Sequence, residues 1–291
     1  MLYVGTSGWE YAHWRGSFYP RRPAPRDTLA FYAARFPTVE LNGTFYRLPA
    51  RETFESWARR TPRDFVFAMK ASRYLTHILR LREPQEAVRR MLERAQGLGD
   101  KLGPLLLQLP PTLERDAARL DGTLELIELT APGTRVAVEF RHASWWRDET
   151  RRLLERRGAA LCLADRGSRI ITPEWRTADW GYVRFHEGLA RPRPCYGRWA
   201  LQSWAQRIRR LYGVDADVYA YFNNDASACA IRDAETFTRI ADAVGIAAAA
   251  RVALARRAVA PASWQRCEAD TVAAGAHGRG PALGRGLGMS A

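Results

Sequence analysis

Short apolar runs alternate with amphipathic stretches along this chain, which predicts repeating strand–helix units around a parallel sheet. Eight strands are predicted, near 2–6, 38–42, 65–70, 104–109, 135–141, 159–165, 180–186 and 217–223. Helical periodicity follows most of them, near 27–36, 51–60, 84–97, 114–129, 145–157, 199–212 and 232–245. Asp27 and Asp233 are the expected N-caps. The connection after the sixth strand has little helical signal and contains Pro173.

Side chains alternate between the two faces of a strand. One parity gives Val39 and Leu41, Phe65, Phe67 and Met69, Val136, Val138 and Phe140, Val183 and Phe185, and Val218, Ala220 and Phe222. That apolar face is expected to pack on helices. The other parity gives Glu40 and Asn42, Lys70, Gln108, Glu139 and Arg141, Asp165, Arg184 and His186, and Tyr221 and Asn223. Eight strands with an inward polar face predict an α/β fold, a single (β/α)8 barrel of the TIM type. Its polar site should lie at the C-terminal ends of the strands, where such barrels place their chemistry. The segment GTSGW after the first strand does not match the glycine-rich loop of an open dinucleotide-binding sheet.

Composition adjusts this picture in three places. The barrel is expected over 1–247 and an Arg/Ala/Gly-rich extension over 248–291, with roughly 260–291 a disordered tail. The formal net charge is +14, and of 45 basic residues only Lys70 and Lys101 are lysine. The excess of arginine is spread along the chain, with no dense basic arm. No apolar stretch is long enough to span a bilayer and the N-terminus carries no signal-like pattern, so the expected location is cytoplasmic. The four cysteines, Cys162, Cys195, Cys229 and Cys267, form no CxxC pair; Cys162 is expected to be an inert core thiol and disulfides are not expected.

Several inward residues can carry chemistry. Glu139 beside Arg141 should stay ionised, and His142 follows at the strand end. Arg141 and Arg184 on different strands suit an anion, because the guanidinium fork matches phosphate or carboxylate. Lys70, a rare lysine, suits a phosphate contact, a Schiff base or a general acid. His77, His142 and His186 fall after three of the strands, and Asn223 and Asn224 end the last one. Aromatic residues that follow strand ends, Phe45, Tyr46, Trp145 and Trp146 among them, are candidates for stacking on a ligand or for packing a lid.

The segments VGTSGW and its continuation at 4–20, VELNGTFYRLP at 39–49 and FVFAMKASRYLTH at 65–77 resemble the YecE-like proteins, domain of unknown function 72. So do LLLQLPP at 105–111, VEFRHASWW at 138–146, YVRFHEG at 182–188 and YAYFNND at 219–225. The resemblance implies a TIM-like barrel and supplies no reaction. It implies that Glu40, Asn42, Tyr46, Lys70, His77, Gln108, Glu139, Arg141, His142, Asp165, Arg184, His186, Asn223 and Asn224 are the family's polar positions. The stretch DASACAIRDAETF after Asn224 departs from the family pattern.

The resulting expectation is a metal-independent acid–base enzyme, without a cofactor, acting on a small anionic substrate such as a sugar phosphate or nucleotide. Glu139, Glu40, His142, His186, Lys70 and Asp165 are the expected catalytic residues. Arg141, Arg184, Asn42, Tyr46, His77, Gln108, Trp145, Asn223 and Asn224 are the expected substrate contacts. One alternative is a metal-dependent barrel phosphoesterase or isomerase, with one divalent ion held by Glu40, Glu139, Asp165 and His186. Another is a non-catalytic nucleic-acid-binding protein that uses the basic surface.

Overall fold

Each long strand buries both of its faces, and a parallel sheet with two buried faces must be wrapped on the outside by its own crossover helices. The computed structural model describes residues 1–22 and 27–249. The strands are β1 (Leu2–Thr6), β2 (Thr38–Leu41), β3 (Val66–Lys70), β4 (Leu102–Gln108), β5 (Val136–Glu139), β6 (Ala160–Arg166), β7 (Arg169–Ile170), β8 (Gly181–Phe185) and β9 (Val218–Phe222). The helices are α1 (Thr28–Ala33), α2 (Gly43–Tyr46), α3 (Arg51–Arg59), α4 (Gln85–Ala95), α5 (Ala117–Thr130), α6 (Asp148–Arg156), α7 (Arg198–Tyr212) and α8 (Cys229–Ala243). All eight predicted strands are present. Parallel ladders run in the order β1-β9-β8-β6-β5-β4-β3-β2. A parallel bridge between Ser7 and Glu40 brings the two ends of that path together. The connection after β6 forms the two-residue β7, antiparallel on β6, in place of a helix. At the other end of the described residues, Leu2 bonds Ala247 and Ala249. The rest of the Arg/Ala/Gly-rich extension, including the expected tail, lies outside the described residues.

The alternation of side chains separates two cores. Every apolar residue of the outward parity belongs to the cluster that packs under the helices. Apart from Leu106, the inner cluster has small residues on one wall and large rings on the other. Ala68, Leu106, Ala137, Ala160 and Cys162 lie on β3 to β6, whereas Tyr182, Tyr219 and Tyr221 come from β8 and β9, and Trp180 directly precedes β8. Large rings facing small residues fill the barrel interior. The tyrosine hydroxyls are satisfied there: Tyr182 donates to Glu40, and Tyr221 pairs with the Thr38 hydroxyl at 2.7 Å. Cys162 is buried, and burial pushes its thiol well above the usual range, as an inert core thiol requires.

Two expectations are corrected. Asp27 does cap α1 through the amide of Ala30, but Asp233 is no N-cap. It lies inside α8, which starts four residues earlier at Cys229, and its carboxylate accepts from the Tyr196 amide and the Asn224 side chain. Disulfides were not expected, yet Cys195 and Cys229 are bonded, with Cα atoms 4.9 Å apart. The loop after β8 turns back so that Gly188 lies against the Cys195 carbonyl, which sets Cys195 beside the first residue of α8. No helix among the described residues is long and apolar enough to cross a membrane.

The near-closure has one tight point. A Cβ added at Gly5 of β1 would stand 2.2 Å from the Thr38 carbonyl oxygen of β2. Gly5→Ala is expected to destabilise the barrel by about 1–3 kcal/mol or more, because neither backbone can give way. A urea melt checks this; an unchanged midpoint refutes the close approach.

Candidate active site

Arg184, on the inward face of β8, lies between two carboxylates from distant strands. Its Nη1 donates to Glu139 Oε2 at 2.7 Å and its Nη2 to Glu40 Oε1 at 2.8 Å. All three side chains are buried. Glu40 also accepts from the Ser7 hydroxyl and the Tyr182 hydroxyl, each at 2.7 Å. Burial alone would raise the Glu40 carboxyl, but the Arg184 guanidinium and those two hydroxyls outweigh it and hold it below the usual carboxylate range.

Glu139 is more heavily engaged. Oε2 accepts from Gln108 Nε2 at 2.9 Å as well as from Arg184. Oε1 accepts from Arg141 Nε and Nη2 at 3.2 and 3.1 Å and faces His186 Nε2 at 3.1 Å. Burial again opposes ionisation, and Arg184, His186 and Arg141 reverse it, so the carboxyl lies well below its ordinary range. A relay of amides fixes the imidazole. Asn42 Nδ2 donates to Asn223 Oδ1, and Asn223 Nδ2 faces His186 Nδ1, both at 3.3 Å. The network is consistent with a proton on Nε2 and a lone pair on Nδ1.

Lys70 ends β3 on the same face. It is 8 % exposed, and its Nζ sits 4.1 Å over the Phe45 ring. Among the described residues its ammonium has no hydrogen-bond acceptor or ion-pair partner. Burial first, then Arg184, pushes it down to about 8, against the pull of Glu40 and Glu139. His77 packs edge-on to Phe45 and bonds the Thr76 hydroxyl through Nδ1. Burial, then Lys70 and Arg141, pushes that imidazole down to about 4, so it is neutral at pH 7. Arg141 is 37 % exposed, and its Nη1 has no protein acceptor among the described residues. Tyr46, beside Phe45, is exposed.

Four expected site residues serve the scaffold. Asp165 is buried behind His186, where it accepts from the Tyr196 hydroxyl at 2.6 Å and from the His186 amide at 2.9 Å. Burial raises its carboxyl despite those bonds. His142 turns to the Ser144 hydroxyl and amide, and caps the short turn Ala143–Trp145. Trp145 is buried, stacks on Phe140 and donates to the Leu113 carbonyl, so it offers no face to a ligand. Asn224 is buried and donates to Pro194 and Asp233. The alternative metal set does not converge: Arg184 separates Glu40 from Glu139 and Asp165 faces Tyr196. Among the described residues no group of three or more His, Cys, Asp or Glu is arranged to hold a metal.

Ser7 and Tyr182 bind Glu40 at the centre and were not expected there, and Tyr196 holds Asp165 in the scaffold behind it. Tyr182 shares the parity of Arg184, so its direction was readable; Ser7 and Tyr196 lie in loops that carry no such pattern. Two open clefts, of about 450 and 310 Å³, lie along the loops after β4 and β5. Their linings mix Arg115, Arg119 and Arg147 with Glu114, Asp116 and Glu149. They lack the buried charges and imidazoles of the centre, which is therefore the better candidate for chemistry.

Arg184→Met leaves two buried carboxylates without their shared cation. The expected loss is roughly 3–5 kcal/mol of stability at pH 7. In the wild type the depressed Glu40 and Glu139 stabilise the fold above the unfolded carboxylate range, and that contribution is lost on acidification. In the variant the sign reverses, because protonation relieves the unpaired charge. Melting from pH 7 to pH 5 checks this; a variant that loses stability in parallel with the wild type refutes it.

A family model described as "Protein of unknown function DUF72" matches residues 3–255. The UPF0759 protein YunF of Bacillus subtilis (strain 168) is 24% identical over 272 residues, covering 83% of this chain and 95% of that protein. The UPF0759 protein YecE of Escherichia coli (strain K12) is 32% identical over 112 residues, covering 38% of this chain and 39% of that protein. The crystal structure of a DUF72 family protein (TM1631) from Thermotoga maritima MSB8 superposes with a TM-score of 0.72 at 29% identity, over 83% of this chain and 99% of that one. Matched along most of its described length in sequence and in fold, the chain belongs to the DUF72 family, of which YecE and YunF are relatives.

Proposed function

We propose that this protein is an acid–base enzyme that works without a metal on a small anionic substrate of the sugar-phosphate or nucleotide kind. The observation that carries this reading is the charge balance around Lys70. The groups acting on its ammonium are Arg184, Glu40, Glu139 and Arg141. Three cations against two carboxylates leave the centre with one net positive charge at neutral pH. Arg184 is committed to both carboxylates through Nη1 and Nη2, which leaves its buried Nε, the Lys70 ammonium and Arg141 Nη1 as the unspent donors of the centre among the described residues. The last two suit one carboxylate or phosphate group.

The division of labour differs from the simplest expectation. Glu40 and Glu139 are depressed and saturated with donors, which makes them poor proton acceptors; their task is to orient Arg184 and His186. Proton transfer falls to His186, held between Glu139 and Asn223, and to Lys70. A positioned acid or base of this kind contributes typically about 10²–10⁴-fold to the rate. His186→Gln is therefore expected to lower kcat by about that factor on an identified substrate.

Anion binding supplies the test. Inorganic phosphate and small phosphorylated sugars should raise the melting temperature of the wild type and not of a Lys70→Met, Arg141→Gln double variant. The stabilisation should weaken as pH rises through about 8, where Lys70 loses its charge. A Lys70→Arg protein should lose that pH dependence. Equal stabilisation of wild type and double variant would refute the assignment. Binding of single-stranded DNA that survives both substitutions and falls steeply with salt would favour the basic-surface alternative.

A further inference from the structure

From the setting of Lys70 we infer that its amine is a nucleophile that forms an imine with an anionic carbonyl compound, a 2-oxo acid or a phosphorylated ketose or aldose. This rests on the anionic-substrate reading and narrows its substrate to a class. Three observations set Lys70 apart from an ordinary phosphate-binding lysine. Its Nζ makes no hydrogen bond or ion pair among the described residues and rests on the apolar face of Phe45, so nothing holds its lone pair once the proton is gone. It is nearly buried at the C-terminal end of a barrel strand, among groups that serve as fixed charges. Burial and the Arg184 guanidinium bring it down to about 8, so a usable fraction is neutral amine near physiological pH.

The chemistry closes without a further reactant. The amine lone pair adds to the carbonyl carbon as the C=O π pair moves to oxygen, giving a carbinolamine. The carbinolamine loses that oxygen as water, which carries off both protons of the amine, and a C=N bond remains. Protonated, the imine draws electrons from the adjacent carbon. His186, the proton-transfer group that remains once Lys70 is the imine, can then move a proton there. Arg141 at the opening, with Nη1 unspent, would receive the carboxylate or phosphate. A second cation near the amine also keeps the imine nitrogen from being the only positive group the substrate meets.

The sequence makes the experiment unusually clean, because Lys70 and Lys101 are the only lysines. Lys101 lies at the opposite end of the barrel, just before β4, with its ammonium donating to the Thr61 carbonyl at 2.7 Å. The full-length protein is incubated with pyruvate, glyoxylate or dihydroxyacetone phosphate, reduced with borohydride, and read by intact mass and peptide mapping. The expected result is one reduced adduct on Lys70 with at least one of these probes. It should be absent from Lys70→Arg and retained in Lys101→Arg. Trapping should quicken between pH 7 and pH 9, whereas stabilisation by the non-carbonyl analogues lactate and glycerol 3-phosphate weakens over the same interval. Circular dichroism melts confirm that the variants are folded. No Lys70 adduct with any probe, or an adduct only on Lys101 or the N-terminal amine, overturns the imine. If lactate or glycerol 3-phosphate still stabilises the wild type, the anion reading survives that failure; if neither does, both fall.

Discussion

A guanidinium held between two buried carboxylates ties this site together. Arg184 links β2, β5 and β8 through Glu40 and Glu139, and Gln108 adds β4. Each charge would be prohibitive alone in the barrel interior, and each is tolerated because the others are present. Arginine suits the position, since two parallel edges of a planar fork reach two acceptors at once and cannot be deprotonated. Glu40 carries the arrangement further. Its backbone bridges Ser7 where β1 and β2 meet, and its carboxylate accepts the Ser7 hydroxyl. The near-closure of the barrel and the charge of its centre thus share one residue.

The parts of this arrangement visible in sequence are those set by local geometry. Strand alternation is covalent in origin, so the direction of Glu40, Lys70, Gln108, Glu139 and Arg184 followed from counting by two along each apolar run. The same count placed the helix-facing residues on one face and, of the inner cluster, Tyr221 on the other. Strand ends were accurate to a residue or two for the same reason. Parity gives only the face, however. That Arg184 reaches both carboxylates, and that Glu139 collects donors from four residues, depends on distances across the barrel that no local pattern holds.

Past the strand ends the parity rule stops, and the misassigned residues all lie at or beyond that limit. His142, Trp145 and Asn224 follow their strands by a few residues, where the chain turns and a polar side chain can serve the turn itself. Each does so: His142 caps a helical turn, Trp145 returns to the core and Asn224 binds a neighbouring loop. Asp165 has the right parity but sits beside the loop that follows β8, and Tyr196 from that loop captures it. The Cys195–Cys229 bond anchors the same loop to α8. A separation of 34 residues gave no spacing signal for it.

What remains is the contrast between fixed and variable charge. In a chain that uses arginine almost to the exclusion of lysine, the guanidiniums at the centre cannot change protonation, and the carboxylates they hold are kept ionised through the neutral range. These four groups, Arg184, Arg141, Glu40 and Glu139, form a constant field around Lys70. An arginine at position 70 would add one more permanent charge. A lysine there, on an aromatic face and without an ion-pair partner among the described residues, lets a constant scaffold act on an amine whose proton can leave. Preorganised charge around an adjustable group is the arrangement that an acid–base site of the proposed kind would use. The polar centre of this barrel has that division built into its choice between two basic side chains.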